Sequence, residues 1–595
     1  MGIPLASALN ARQLSCAPPW SDRAYWGQLD SDVRDKLIAR GDEFATLDWP
    51  HLTATGFAAF TRTGNRANYE AGWFTRRRKL NALVMAELAE GTGARLDDIA
   101  DGLWLILEET GWQLPAHNAQ PRGGARRPLP DPDDPVVDLF AAETGGLVAT
   151  ILDVLGEPLE AALPGLVARA DAEVDRRILA PYLARDYWWM GNVDGPTNNW
   201  TTWITQNVLL AALVRPLGPD RRRAVLSRAL PSLDAFLADY AEDGACEEGA
   251  MYYRHAGLCL WGALTLVNRA APGSMDAVLA TPKVRNIAEY VESAHVAGQN
   301  YLNFADCPAV GERATAREWL FGQAVGSDRL TAWAHRDATA EGWSDLPDEI
   351  NLWYRLLQVQ HAADLSAPPP PTPAPRDAWY PGSGLFIARD RTFTLAVKAG
   401  DNGDSHNHND VGSVILYKSG RPVLIDLGVE TYTAHTFSDR RYEIWTMQSG
   451  WHNLPTFGGV MQSPGEAHGA RDVATDFGPE HAKITMDMAP AWPAEARLTS
   501  ARRDVTLERG QQVLIRDTYD GALPATLTLL FAERPELAGN EVLLPALARI
   551  ATEGLEDMVI THVPVADPRL AASWPDGVWR LSGNVRGSSA AVTID

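Results

Sequence analysis

The spacing of apolar residues changes once along this chain, and the change divides it. Up to about residue 365 the sequence is rich in Ala and Leu, with apolar positions recurring at helical intervals. Leu233, Phe236, Leu237 and Tyr240 lay one apolar stripe along a helix read as starting at Pro231 and stopped by Asp243-Gly244. Similar segments predict helices at 80–92, 137–155, 164–183, 202–214, 255–269 and 316–334. Loops containing Gly, Asn and Pro separate them, so the region reads as repeated helical hairpins.

The run Ala367-Pro-Pro-Pro-Pro-Thr-Pro-Ala-Pro375 cannot be helical and predicts a stiff, extended linker. Beyond it the period becomes two. Phe393, Leu395 and Val397 alternate with Thr392, Thr394 and Lys398 after a turn at Asp390-Arg391. Val505/Leu507 and Val513/Ile515 flank Arg509-Gly510 as a hairpin, and Val592-Thr-Ile594 closes the chain. Short strands with turn signals predict an antiparallel sandwich. The expected organisation is helices over 1–366, a linker over 367–378 and a sandwich over 379–595.

Composition narrows the function. At 595 residues, 46% hydrophobic and 22% charged, the chain can bury a large core in two or three domains. It holds no apolar run of 18 residues, so no membrane span or membrane partner is expected. Arg12 interrupts the N-terminal apolar stretch, which reads as a cytoplasmic protein, or a periplasmic one if the chain is a processed form. Cys16, Cys246, Cys259 and Cys307 lack metal-knuckle spacing and read as reduced thiols. The net charge of −23 excludes a nucleic-acid partner, which wants a basic footprint. It leaves room for an anionic sugar drawn to a local cationic cleft. The 21 tryptophans fit sugars. The run Arg76-Arg77-Arg78-Lys79 fits them too, although such a run reads first as a solvated helix face.

The densest chemistry is Gly403-Asp-Ser-His406-Asn-His408-Asn-Asp410. Two histidines at i and i+2 on a strand would share a face. Asp426 ends the apolar run Val423-Leu-Ile, where a carboxylate is costly unless paired or metal-bound, and His452 follows. Two His and one Asp with an open position make a site for zinc or another divalent ion. In the helical part, Pro196-Thr-Asn198-Asn199-Trp200 leads into a helix, and Asp243-Gly-Ala-Cys-Glu247-Glu248-Gly249-Ala-Met-Tyr252-Tyr253-Arg254-His255 opens another. Taken alone, the asparagines read as an N-cap and the tyrosines as half-buried packing.

Together these motifs resemble the heparinase II/III-like polysaccharide lyases, over about residues 190 to 455. Those proteins carry Asn-Asn-Trp or Asn-His, then Asp-Gly…Glu-Gly-x-x-Tyr, then His-x-His-x-Asp, Asp-x-Gly and His-Asn. The resemblance implies an N-terminal (α/α) toroid followed by an antiparallel β-sandwich, an α+β multidomain fold. It implies β-elimination on an anionic, uronate-containing oligo- or polysaccharide. Asn199 (Asn198 as alternative) would neutralise the uronate, and Tyr252 (Tyr253 as alternative) would be the acid/base. His406 would face the scissile bond, with Tyr442 as a further acid. Trp200, Glu248, Arg254 and His255 join Asn198 as substrate-binding candidates. Arg254 and His255 would also supply the cationic neighbourhood that a tyrosine base needs. His408, Asp426 and His452 would hold a structural divalent metal, zinc first, with manganese and calcium as alternatives. Members with His beside the Asn carry a polar group that this chain lacks, which leaves the substrate open. Two other readings stand beside the lyase: a toroid glycoside hydrolase using carboxylates such as Asp243, Glu247 and Glu248, and a non-catalytic glycan binder. The chain reads as a monomer or homodimer.

Overall fold

A computed structural model describes residues 2–191, 197–371, 376–433 and 435–595. Pro196 and residues 372–375 of the Pro-rich run lie outside the described residues. The chain forms two compact units. The first comprises Met1–Tyr240, Arg254–Ala288 and Ala314–Thr372, and the second Ala241–Tyr253, Glu289–Arg313 and Pro373–Asp595.

The first unit is helical. Its elements include α1 (Ser31–Ala45), α2 (Ala67–Glu90), α3 (Leu96–Leu107), α4 (Leu139–Ala162), α5 (Asn199–Val214), α6 (Pro219–Asp239), α7 (Gly257–Ala270), α8 (Ala316–Ala324), α9 (Asp328–Ala338) and α10 (Leu352–Gln360). α4 packs on α5, α5 on α7, α7 on α8, α8 on α10 and α10 back on α4, which closes an inner ring. α1 covers α2, α6 covers α5 and α9 covers α8 from outside. The sequence encodes the two layers differently. α5 buries every residue from Thr201 to Val214. α6 buries only Arg222, Val225, Leu226, Ala229, Leu230, Ser232, Leu233 and Phe236, one stripe of an amphipathic helix.

α6 starts at Pro219, not at Pro231, which sits inside it. The segment 316–334 is two helices, because Ser327 caps α9 by accepting from Leu330 N. α4 is long and apolar enough to cross a membrane by length and composition, but its apolar window is 83% buried as a ring helix. The basic run is not a solvated face. Arg76, Arg77 and Lys79 are buried; Arg77 stacks 3.4 Å over Trp73, and both arginines pair with buried Glu109 at 3.1 and 2.8 Å. Glu109 lies too far along the chain for pattern reading to match it to the run.

The second unit is antiparallel. A five-stranded sheet runs in chain order: β1 (Ala378–Tyr380), β2 (Leu385–Arg389), β3 (Phe393–Lys398), β4 (Val414–Lys418) and β5 (Arg421–Leu424). The later strands are β6 (Pro455–Phe457), β7 (Arg471–Phe477), β8 (His481–Asp487), β9 (Leu498–Glu508), β10 (Gln512–Gly521), β11 (Ala525–Phe531), β12 (Glu536–Ala538), β13 (Glu541–Leu544), β14 (Ala548–Glu553), β15 (Leu555–Val563), β16 (Val578–Val585) and β17 (Ser589–Ile594). They form an eight-stranded sheet ordered β7-β8-β9-β10-β17-β14-β13-β12 and a four-stranded sheet ordered β15-β16-β11-β6. One core unites the sheets: Phe386, Leu395 and Leu416 from the first, Ile484, Val505 and Val592 from the second, Leu527 and Leu529 from the third. The hairpin at Arg509-Gly510 pairs Val505 with Ile515 and Leu507 with Val513, so its apolar side chains share the core face.

Two segments that precede the linker belong with this unit because their contacts are made there. Asp243 Oδ2 accepts from Gly382 N at 2.7 Å, and Asn303 Nδ2 donates to Asp426 O at 2.9 Å.

Candidate functional site

In the helical unit, Asn198 caps α5, its Oδ1 accepting from Trp200 N at 3.0 Å. The capping task therefore falls to Asn198. Asn199, the first helical residue, is half-buried, and its amide has no hydrogen-bond partner among the described residues. Trp200 is half-buried beside Trp188. His255 stacks on Trp203 with ring centroids 4.0 Å apart, and burial, aided by the charges of Arg317 and Arg254, pushes its pKa down to about 3. It is a neutral ring at physiological pH and supplies no cation. Arg254 is buried 3.5 Å from Glu318, so its charge is met within the helical unit.

In the second unit the central feature is a buried carboxylate, Asp306. Its Oδ2 takes His406 Nδ1 at 2.7 Å and the Tyr432 hydroxyl at 2.9 Å. Its Oδ1 takes Arg441 Nη2 at 2.7 Å and His408 Nε2 at 3.1 Å. Burial alone would raise the Asp306 pKa, but hydrogen bonds from both histidines and the Arg441 charge hold it well below the usual range. The histidines do not sit on a strand. They lie in a turn before β4, with His406 in the left-handed region at φ 56°, and they converge because opposite oxygens of one carboxylate hold them.

Tyr252 joins this group. Its hydroxyl hydrogen-bonds the Tyr432 hydroxyl, and its ring centroid lies 4.8 Å from that of His406. Arg569, on the short helix Pro568–Ser573, lies 4.3 Å over the Tyr432 ring and donates to Asp306 O at 3.3 Å, which brings its charge to both tyrosines. Burial pushes the Tyr252 pKa up to about 12 against the lowering charge of Arg569. Tyr252 is half-buried, whereas Tyr253 is fully buried. Glu248 accepts from Ser405 Oγ at 3.1 Å and lies 3.9 Å from His406 Nε2. Tyr442 accepts from Asn407 Nδ2 at 3.2 Å. Asp243, one of the carboxylates a hydrolase would use, receives the backbone N–H groups of Ala245 and Gly382.

His408, Asp426 and His452 form a buried three-residue cluster with ligand atoms within 4.8 Å of one another. His452 Nδ1 lies 2.7 Å from Asp426 Oδ2. His408 Nδ1 and His452 Nε2 are buried with no hydrogen-bond partner among the described residues. Two orphaned imidazole nitrogens beside a carboxylate are costly in a dry interior, and a divalent cation would satisfy them. The donor set fits such an ion, and Asp306 Oδ1 holds His408 Nε2, which orients the ring so that Nδ1 faces the cluster. Asn453 of the His-Asn pair has a separate task. It donates to Val414 O and Ile425 O and accepts from Leu530 N, clamping three strand segments.

Asp306, Tyr432, Arg441 and Arg569 carry no readable signal in the sequence. Asp306 and Arg569 lie 100 and 163 positions from His406, and no spacing rule reaches that far. Tyr432 and Arg441 stand close to residues already singled out, Asp426 and Tyr442, and proximity alone could have found them.

Residues 372–578 match the sequence profile described as "Heparinase II/III-like, C-terminal". No curated protein sequence matches the chain. Among solved structures, a heparinase III is similar at TM-score 0.60 and 14% identity, covering 97% of this chain and 90% of that one. A mutant of heparan sulfate lyase HepC from Pedobacter heparinus is similar at TM-score 0.57 and 13% identity, with the same coverage. A further heparinase III gene product matches at TM-score 0.56 and 14% identity, covering 94% of this chain and 88% of that one. The fold class is therefore α+β multidomain, an N-terminal (α/α) toroid followed by an antiparallel β-sandwich.

Proposed function

We propose that this chain, heparinase II/III-like over residues 372–578 and heparinase III-like in fold, is a polysaccharide lyase that cleaves uronate-containing glycans by β-elimination. The observation that carries the reading is the hydrogen-bonded chain Tyr252–Tyr432–Asp306–His406. It is a proton-handling group whose central carboxylate, Asp306, is engaged by four donors.

In the reaction the C5–H bond breaks and its proton goes to a base. The C4–O4 bond then breaks, and O4 leaves with the electron pair and takes a proton from an acid. A C4=C5 double bond remains. The carbanion-like intermediate spreads charge onto the neighbouring carboxylate, so a donor there lowers the barrier. Asn199, whose amide has no partner among the described residues, is assigned that task. His406 has Nδ1 tied to Asp306, which leaves Nε2 to accept the C5 proton. Tyr252, held as the phenol by a pKa of about 12, is suited to protonate O4. The Arg569 charge, which lowers the Tyr252 pKa, would ease the transient phenolate. Tyr442 stands one residue further out and is assigned no step.

The cluster His408–Asp426–His452 is assigned to a divalent metal, zinc by donor type. A bound ion there supplies charge and rigidity to the loops that carry the histidines. The solved structures named for heparinase III and heparan sulfate lyase make heparan-type glycans the first substrates to try, before chondroitin, hyaluronan and alginate. Ultraviolet absorbance of the new double bond, followed over a panel of these polymers, tests the proposal. Turnover by the native chain that vanishes in Tyr252→Phe supports it. Glycan binding without any absorbance change, unaltered in Tyr252→Phe, would mark a non-catalytic binder instead.

A further inference from the structure

The helical unit holds an aromatic and cationic group that the proton-transfer chemistry leaves unused. Trp188 and Trp200 are both half-buried, with ring centroids 5.0 Å apart and planes tilted by 47°. Neither ring is fully covered, unlike the stacked Tyr187–Trp189 pair beside it, whose members are buried. His117 lies 4.8 Å from Trp200. Its Nδ1 is fixed at 2.7 Å by buried Asp138, which leaves Nε2 without a partner among the described residues. The Arg122 guanidinium sits 4.9 Å over the Trp188 ring, is exposed, and pairs with no carboxylate among the described residues. That is an unusual position for an arginine in a chain of net charge −23.

Each part has a physical reason to meet an acidic sugar. The apolar face of a pyranose ring stacks on indole, and a guanidinium already oriented by its own stacking pairs with carboxylate or sulfate. A fixed imidazole nitrogen offers a directional hydrogen bond to a ring hydroxyl. We propose that Arg122, Trp188, Trp200 and His117 form a binding subsite for an anionic sugar residue of the substrate. The subsite rests on the uronate-glycan reading above, but it makes binding contacts only.

Two readouts test it. The first is quenching of tryptophan emission by a saturated glucuronate-containing hexasaccharide, with a neutral hexasaccharide of glucose as control. The native chain should be quenched by the acidic oligosaccharide alone. Arg122→Gln, an exposed change that leaves folding intact, should weaken that affinity about tenfold, which is about 1.4 kcal/mol. Trp188→Leu should remove most of the quenching amplitude. The second readout is turnover, where Arg122→Gln should raise KM about tenfold for the hexasaccharide at unchanged kcat. Arg122→Gln titrating as the native chain does, or equal quenching by the neutral sugar, would overturn the subsite. Quenching without any unsaturated product would leave the subsite standing and sink the lyase reading instead.

Discussion

Replacing Asp306 by Asn keeps the shape of the side chain and removes its charge, so it isolates what the carboxylate does. Four donors converge on Asp306, two on each oxygen: His406 Nδ1 and Tyr432 OH at 2.7 and 2.9 Å, Arg441 Nη2 and His408 Nε2 at 2.7 and 3.1 Å. An amide offers one oxygen and one NH2, so two donors lose their acceptor whichever way it turns. Hydrogen bonds to a charged group contribute about 1.5–3 kcal/mol each, and the pair therefore costs about 3–6 kcal/mol. Turning the NH2 toward Arg441 would set it against a guanidinium, so the amide turns it toward His406. His406 Nδ1 must then accept, and Nε2 carries the proton, which is the wrong tautomer for a base. A comparable loss of tautomer control costs about 10⁴ in kcat in serine proteases, and we expect about 10³ here, or about 4 kcal/mol. Initial rates by ultraviolet absorbance give kcat and KM, and nitrogen NMR of labelled histidine gives the tautomer. A kcat within about threefold of native, with the His406 tautomer unchanged, would refute the reasoning.

Three further outcomes follow from the buried charges. Chelation that strips the metal should lower the unfolding temperature by at least about 5 °C, because binding to the folded state alone stabilises it; an unchanged melt would remove the metal from the account. Burial, reinforced by Glu349, raises the Glu143 pKa to about 8, so the folded chain keeps a proton that the unfolded chain loses above about pH 4.5. Stability should therefore fall as pH rises from about 4.5 to about 8, and Glu143→Gln should flatten that slope in thermal melts; a variant that parallels the native slope would contradict it. Glu109→Gln leaves Arg76 and Arg77 buried without their carboxylate and should cost about 3–5 kcal/mol, read from denaturant unfolding of the helical unit. A loss under about 1 kcal/mol would show the pair to be dispensable.

Period and punctuation made the architecture readable. The shift from helical to two-residue spacing at the Pro-rich run marks where sheet begins, and the hairpin at Arg509-Gly510 has the register its apolar pairs require. What escaped was long-range. Ala241–Tyr253 and Glu289–Arg313 look like parts of the helical region, yet they join the sheet unit. The buried cluster of His408, Asp426 and His452 was visible because each sits in a short motif. Asp306, which holds two of the motif histidines, sits in none. His406 and His408 seemed to owe their common direction to a strand, and a carboxylate from a distant segment supplies it instead. The cation for Tyr252 was sought among its neighbours in sequence, but His255 is a neutral ring stacked on Trp203, and the charge that lowers the Tyr252 pKa is that of Arg569. Local pattern reports elements and motifs; the partner of a buried charge is chosen by packing.

The central claim is that the glycan is cut by elimination and not by hydrolysis, and mass spectrometry of the products formed in ¹⁸O-labelled water decides it. Elimination predicts an unsaturated fragment one water lighter than its hydrolytic counterpart, a second fragment of unchanged mass, no label brought in by the cleavage step, and no product at all from Tyr252→Phe. Products of hydrolytic mass carrying the heavy oxygen would contradict the account.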